Sequence, residues 1–173
     1  MARLSPAELR ECLERDLPGA VVEAAPLQVS PPPAHGTPPG PYSTDDTLVA
    51  SDLLVEAACY LRDQLGYAFL SDLAVVDFLH AGLFELMYRF YRVDGGPALV
   101  LKIRVPRADP RVPSLTPRWP GANFHEREAL DLFGIIFDGH PYPKRIYMWD
   151  EFEGWPMRKD FPRQGDKYIG EDE

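Results

Sequence analysis

At 173 residues, 45% of them hydrophobic and 26% charged, the chain has the size and composition of one globular domain with a core of its own. A net charge of −9 argues against nucleic-acid binding, which calls for a basic face. No apolar run approaches the ~20 residues of a membrane helix and no basic-then-apolar leader opens the sequence, so a soluble chain that meets a membrane only through a partner is expected.

In chain order, Ser5–Leu17 reads as a helix, with Ser5 as N-cap, Pro6 at the first helical position and Glu8 completing a capping box. Leu9 and Leu13 give it one apolar face. Ala20–Ala24 suggests a short strand, and the Pro-rich stretch Pro26–Pro41 an extended loop. Thr47–Ala50 reads as a strand leading into a helix capped by Ser51, whose apolar face is Leu53, Ala57, Leu61 and Leu65. Strands follow at Tyr67–Phe78, Phe84–Val93 and Ala98–Val105, the last two joined by the turn Asp94-Gly95-Gly96. One face of this sheet is apolar, while the other carries Arg89, Lys102 and Arg104, either solvated or docked on an acidic neighbour. Pro106–Pro120 predicts a surface connection, and His80 an ordinary exposed turn residue. Cys12 and Cys59 fit reduced core thiols, too few for an iron–sulfur cluster.

The densest chemistry lies in Asn123–Gly134, a short charged helix that Gly134 ends. Leu130 and Phe133 share its apolar face, and Arg127 and Asp131, four apart, are placed to pair. Glu126 and Glu128 are expected to reach Lys144, Arg145, Arg158 or a partner. The helix reads either as an amphipathic surface helix or as a site, since carboxylates beside His125 and His140 can do acid–base work. Zinc is disfavoured because Ala129 stands where an HExxH helix needs its second His. Beyond Gly139 the chain is aromatic and irregular, with Trp149, Phe152, Trp155 and Phe161 but no helical or strand period. Such a tail either caps its own core or lies on a partner, and the interleaved Arg158-Lys159 favour the partner.

Glu126-Arg127-Glu128, Asp131-Leu132-Phe133-Gly134, Gly139-His140-Pro141 and Lys144-Arg145-Ile146 together resemble the signature of the C subunit of respiratory complex I, NADH:quinone oxidoreductase, known as the J subunit in its cyanobacterial and plastid form. The resemblance extends upstream through Asp109–Ser114 and Trp119, and downstream through Glu153-Gly154-Trp155-Pro156 and Arg158-Lys159-Asp160-Phe161. It implies a non-catalytic hydrophilic-arm subunit without cofactor. Iron–sulfur clusters, FMN and quinone would belong to neighbouring subunits. The expected partners are the large quinone-chamber subunit and the one holding the terminal cluster, at the cytoplasmic face of the plasma membrane. Equivalent subunits in a ferredoxin-fed complex or a membrane-bound nickel–iron hydrogenase are the alternatives. A free-standing hydrolase built on Glu126 or Glu128 with His140 lacks a nucleophile, phosphate cradle or oxyanion hole in the sequence.

The expected architecture is a single two-layer α+β domain, with helices on one side of a mixed or antiparallel sheet. Residues 1–46 would be the N-terminal helix and loop, 47–138 the core and 139–173 an irregular C-terminal extension.

Overall fold

The computed structural model describes residues 4–23, 27 and 46–162. The Pro-rich stretch, apart from Leu27, and the acidic end Gly165–Glu173 lie outside the described residues. Helix α1, Pro6–Asp16, starts with the expected capping box: Ser5 Oγ accepts from the Glu8 amide, and the Glu8 carboxylate accepts from the Ser5 amide at 2.7 Å. Its Leu9 and Leu13 are fully buried. The strand expected at Ala20–Ala24 is reduced to one bridge, Val21 to Val49.

Strand β1 is Thr47–Leu48 and helix α2 is Leu54–Asp63. The Ser51 cap is not made. A single 3-10 turn, Ser51–Leu53, leads into α2, with the Leu53 amide donating to Ala50 O, and neither the turn nor the helix has a side-chain cap. Strands β2, Phe69–Phe78, β3, Leu83–Tyr91, and β4, Leu99–Pro106, form an antiparallel meander, and β1 adds in parallel beside β4. The order is therefore β1-β4-β3-β2, a mixed sheet. Gly95 and Gly96 of the β3–β4 turn both have positive φ, which Asp94-Gly95-Gly96 anticipates. His80 is exposed in the turn after β2.

Alternation places Phe84, Leu86, Tyr88 and Phe90 of β3 with Leu99, Leu101, Ile103 and Val105 of β4 on one face. These join Leu9, Leu13, Leu54, Ala57, Ala58 and Leu61 from α1 and α2 in one buried cluster. Burying each large side chain contributes about 1.5–3 kcal/mol, so this face carries most of the folding drive. Cys12 and Cys59 are half-buried free thiols, and Cys59 packs against the buried cluster as expected.

The opposite face differs from the solvated basic surface expected. Lys102 is buried, with its Nζ 2.9 Å from Asp46 and 3.8 Å from Glu85. Glu85, also buried, accepts from Arg104 Nε at 2.8 Å, and Arg89 pairs with Asp72 at 3.3 Å. The cations there are met by acids of the same chain.

The connection after β4, expected to lie over the surface, instead buries Val112, Leu115 and Trp119 in the core. Strand β5, Arg111–Pro113, pairs in parallel with β6, Ile136–Asp138, and helix α3, Ala122–Phe133, runs between them. Pairing is available because Val112 can bury itself, the carbonyl of Pro110 accepts the Ile136 amide at 2.8 Å, and the Ser114 amide donates to Asp138 O at 2.8 Å, so no proline nitrogen is called on to donate.

Candidate functional site

Helix α3 is buried on two sides. Ala122, Glu126, Ala129 and Phe133, at i, i+4, i+7 and i+11, form the stripe that joins the core, and Phe133 packs edge-on against Phe84 of β3. Asp131 is buried on the other side, toward the tail, while Leu130 is only half-buried. The helix stops at Gly134, in the left-handed conformation at φ 73°, with its amide returned to Leu130 O. A Cβ there would come within 2.7 Å of the Trp155 indole and closer still at Nε1. Glycine is thus required both for the turn and for the approach of the tail.

Glu126 does not reach Lys144, Arg145 or Arg158. Its Oε1 accepts the Leu115 amide at 2.6 Å, and its Oε2 accepts the hydroxyls of Ser114 at 2.5 Å and Thr116 at 2.8 Å. The carboxylate therefore pins the connection after β5 to the helix. Tyr88, fully buried nearby, has its phenol held well above the ordinary range, by burial first and then by the negative Glu126. His140 Nδ1 accepts the Tyr142 amide at 3.0 Å, so its proton lies on Nε2, which faces Asn123 O at 3.3 Å and Glu126 Oε2 at 3.8 Å.

Asp131 does not pair with Arg127. Its Oδ2 accepts three successive amides, Ile146 at 2.9 Å, Tyr147 at 2.7 Å and Met148 at 3.0 Å, and its Oδ1 accepts Arg145 Nη1 at 2.7 Å. Burial presses this carboxyl upward. The Met148 and Tyr147 amides, the Arg145 guanidinium and the Ile146 amide together outweigh it and hold the group below the usual aspartate range. Arg127 instead donates to the carbonyls of Lys144 and Arg145, and stands over the rings of Tyr142 and Phe124. A helix-surface pair was the weaker option: an exposed ion pair contributes about 0–1 kcal/mol, whereas Asp131 accepts four donors out of water.

Further along, Arg145 Nη2 donates to Phe152 O and Gly154 O, and Met157 donates to Leu132 O. Arg158 Nε donates to Phe133 O at 2.6 Å, and the Lys159 amide donates to Asp77 at 2.9 Å. Arg107 joins Asp77 to Asp160, at 2.8 and 2.7 Å. The tail from Gly139 to Phe161 has no helix or strand and is fastened to its own core. The tail expected to lie partly on a partner is thus held by its own core as well, with Trp149, Tyr147 and Met157 more than half exposed. Glu128 is half-buried, with no hydrogen bond or ion pair among the described residues. The Lys144 ammonium stands over the Tyr142 ring.

Sequence reasoning missed Ser114 and Thr116 as partners of Glu126, and Asp77 and Arg107 as fasteners of the tail. A hydroxyl pair hemmed by Pro113 and Pro117 is the available signal for the first, and nothing local marks the second. Chemically, Glu126 and Asp131 are acceptors already filled by donors, and the depressed Asp131 is the reverse of a general acid. Among the described residues no group of three His, Cys, Asp or Glu side chains is placed to hold a metal ion.

The chain is thus an α+β sheet protein whose helix α3 fastens a loop and a tail, with no helix among the described residues long and apolar enough to cross a membrane. The profile of the family described as "Respiratory-chain NADH dehydrogenase, 30 Kd subunit" matches residues 47–167, and the chain belongs to that family. It is 45% identical over 117 residues to the C subunit of the NADH-quinone oxidoreductase of Roseiflexus castenholzii, covering 66% of this chain and 67% of the relative. It is also 34% identical over 118 residues to the second C/D subunit of the NADH-quinone oxidoreductase of Aquifex aeolicus, covering 68% of this chain but 20% of that longer polypeptide. A chain in the solved structure of the membrane-bound sulfane sulfur reductase, an archaeal respiratory membrane complex, superposes with a TM-score of 0.67 at 21% identity. That match covers 91% of this chain and 85% of the other, and the likeness is one of fold.

Proposed function

We propose that the chain is a non-catalytic, cofactor-free subunit in the hydrophilic arm of a proton-translocating NADH:quinone oxidoreductase, where it supports assembly of the quinone-reducing module. The observation that carries this is the family match over residues 47–167, which takes in the sheet, α3 and the tail together. The engagement of Glu126 and Asp131 in the chain's own fold supports a non-catalytic role. FMN, iron–sulfur clusters and quinone then lie in neighbouring subunits. The partners are the large quinone-chamber subunit and the terminal-cluster subunit, and attachment is peripheral, at the cytoplasmic face of the plasma membrane. The Aquifex relative, named for the C and D subunits in one polypeptide, supports a D subunit as a close neighbour, because fused segments must fold within linker reach of each other.

Purification in mild detergent tests this directly: the chain should co-purify with the other subunits of one oxidoreductase. Purified alone after reconstitution with iron, sulfide and flavin, it should show no iron–sulfur or flavin absorption. A bound chromophore would end the cofactor-free reading.

Glu128 separates support from chemistry. Because it has no partner within the described residues, Glu128→Gln should leave the isolated chain within about 0.5 kcal/mol of the parent in denaturant unfolding. Assembled complex and quinone reduction should fall together. Normal assembly with quinone reduction lost would make Glu128 catalytic.

A further inference from the structure

Arg158 is held firmly and used little. Its guanidinium lies 4.0 Å from the centre of the Trp155 ring and 5.1 Å from that of Phe84, so its plane is set by two aromatic rings. Only Nε is engaged, on Phe133 O, and the two terminal nitrogens have no hydrogen bond among the described residues. The neighbouring acids, Asp77 and Asp160, are taken by Arg107. Burial first, and then the positive Arg107 beside it, weaken the hold of this guanidinium on its proton more than Asp160 and Asp77 strengthen it, and an arriving anion would offset the repulsion from Arg107. Around it, Met157 is 56% and Trp155 37% exposed, and Lys159 adds a second positive charge.

We infer that Arg158 is the anchor that receives a carboxylate side chain, Asp or Glu, of a neighbouring polypeptide when the chain enters its complex. The inference rests on the assembly role proposed above and names the chemistry of the contact. A guanidinium fork fits a carboxylate through two parallel N–H bonds, and one already fixed between rings loses little freedom on binding. Exposed Trp and Met around an Arg are the composition of an interface centre, which favours a polypeptide carboxylate over a free anion.

The test uses the full chain, free and within its complex, and phenylglyoxal, a reagent for unpaired guanidinium groups. In the free chain Arg158 should be labelled; in the complex, labelling should fall on the order of tenfold or more, a 1.4 kcal/mol equivalent. As a second arm, the complex carrying R158K is treated with a zero-length carbodiimide. Position 158 should then be coupled to an Asp or Glu of another polypeptide. Coupling only to acids of its own chain, or equal labelling in both states, overturns the inference while leaving the assembly role intact. A chain that enters no complex overturns both.

Discussion

Asp131→Ala should destabilise the isolated chain by about 3–5 kcal/mol, the cost of breaking a buried charge pair and leaving its partners unpaired. Four donors lose their acceptor at once: the Arg145 guanidinium and the amides of Ile146, Tyr147 and Met148. Asp131→Asn keeps the volume but removes the charge and one acceptor oxygen, and should cost less. Denaturant unfolding measures both, with tryptophan fluorescence as probe because Trp149 and Trp155 lie on the segment released. The pH dependence has a definite sign. The folded carboxyl titrates below its unfolded value of about 3.9, so its contribution is complete above that pH and is lost as pH falls through the depressed folded value. Asp131→Asn should therefore flatten the stability profile below about pH 4. A parallel profile for parent and variant would show that the Asp131 carboxyl is not held below its unfolded value.

Glu126→Ala should come next, at about 3 kcal/mol or more, since two buried hydroxyls and one amide would lose their acceptor at about 1–3 kcal/mol each. Removing the donors instead should be milder, since the Leu115 amide still reaches Glu126, with Ser114→Ala costing more than Thr116→Ala because Ser114 Oγ also accepts the Thr116 amide at 3.1 Å. The triple variant should cost less than the sum of its parts by more than about 0.5 kcal/mol, the level at which contacting residues couple. Thermal unfolding of the set decides it. Additive costs would mean that Glu126, Ser114 and Thr116 act independently, contrary to the geometry.

The parts of this fold governed by short-range rules were legible in the sequence. The capping box at Ser5, the Asp94-Gly95-Gly96 turn, the alternation of β3 and β4 and the Gly134 terminus each depend on neighbours a few residues away. The signature around Glu126–Gly134 and Lys144–Phe161 led to the family, which the profile match shows. What could not be read was the pairing inside that signature. Arg127 and Asp131 satisfy every local criterion for a helix pair, yet Asp131 is taken by Arg145, fourteen residues on, and by three amides that carry no sequence identity at all. Glu126 likewise binds hydroxyls twelve and ten residues upstream. Backbone donors and distant hydroxyls leave no periodic trace. The same reason hid β5, whose three residues pair only because β6 returns beside them after α3.

The sheet order also divides the chain by when its parts can form. Strands β2, β3 and β4 are consecutive and joined by short turns, so their closure costs little loop entropy. This meander is the low-contact-order part of the domain and can serve as its nucleus. Strand β1 must wait for β4, which leaves the ribosome some fifty residues later. Until then Leu54, Ala57, Ala58 and Leu61 of α2 have no sheet to cover them. The irregular tail, synthesised after everything it fastens to, docks on a surface already built, so loosening it should speed unfolding more than it slows folding.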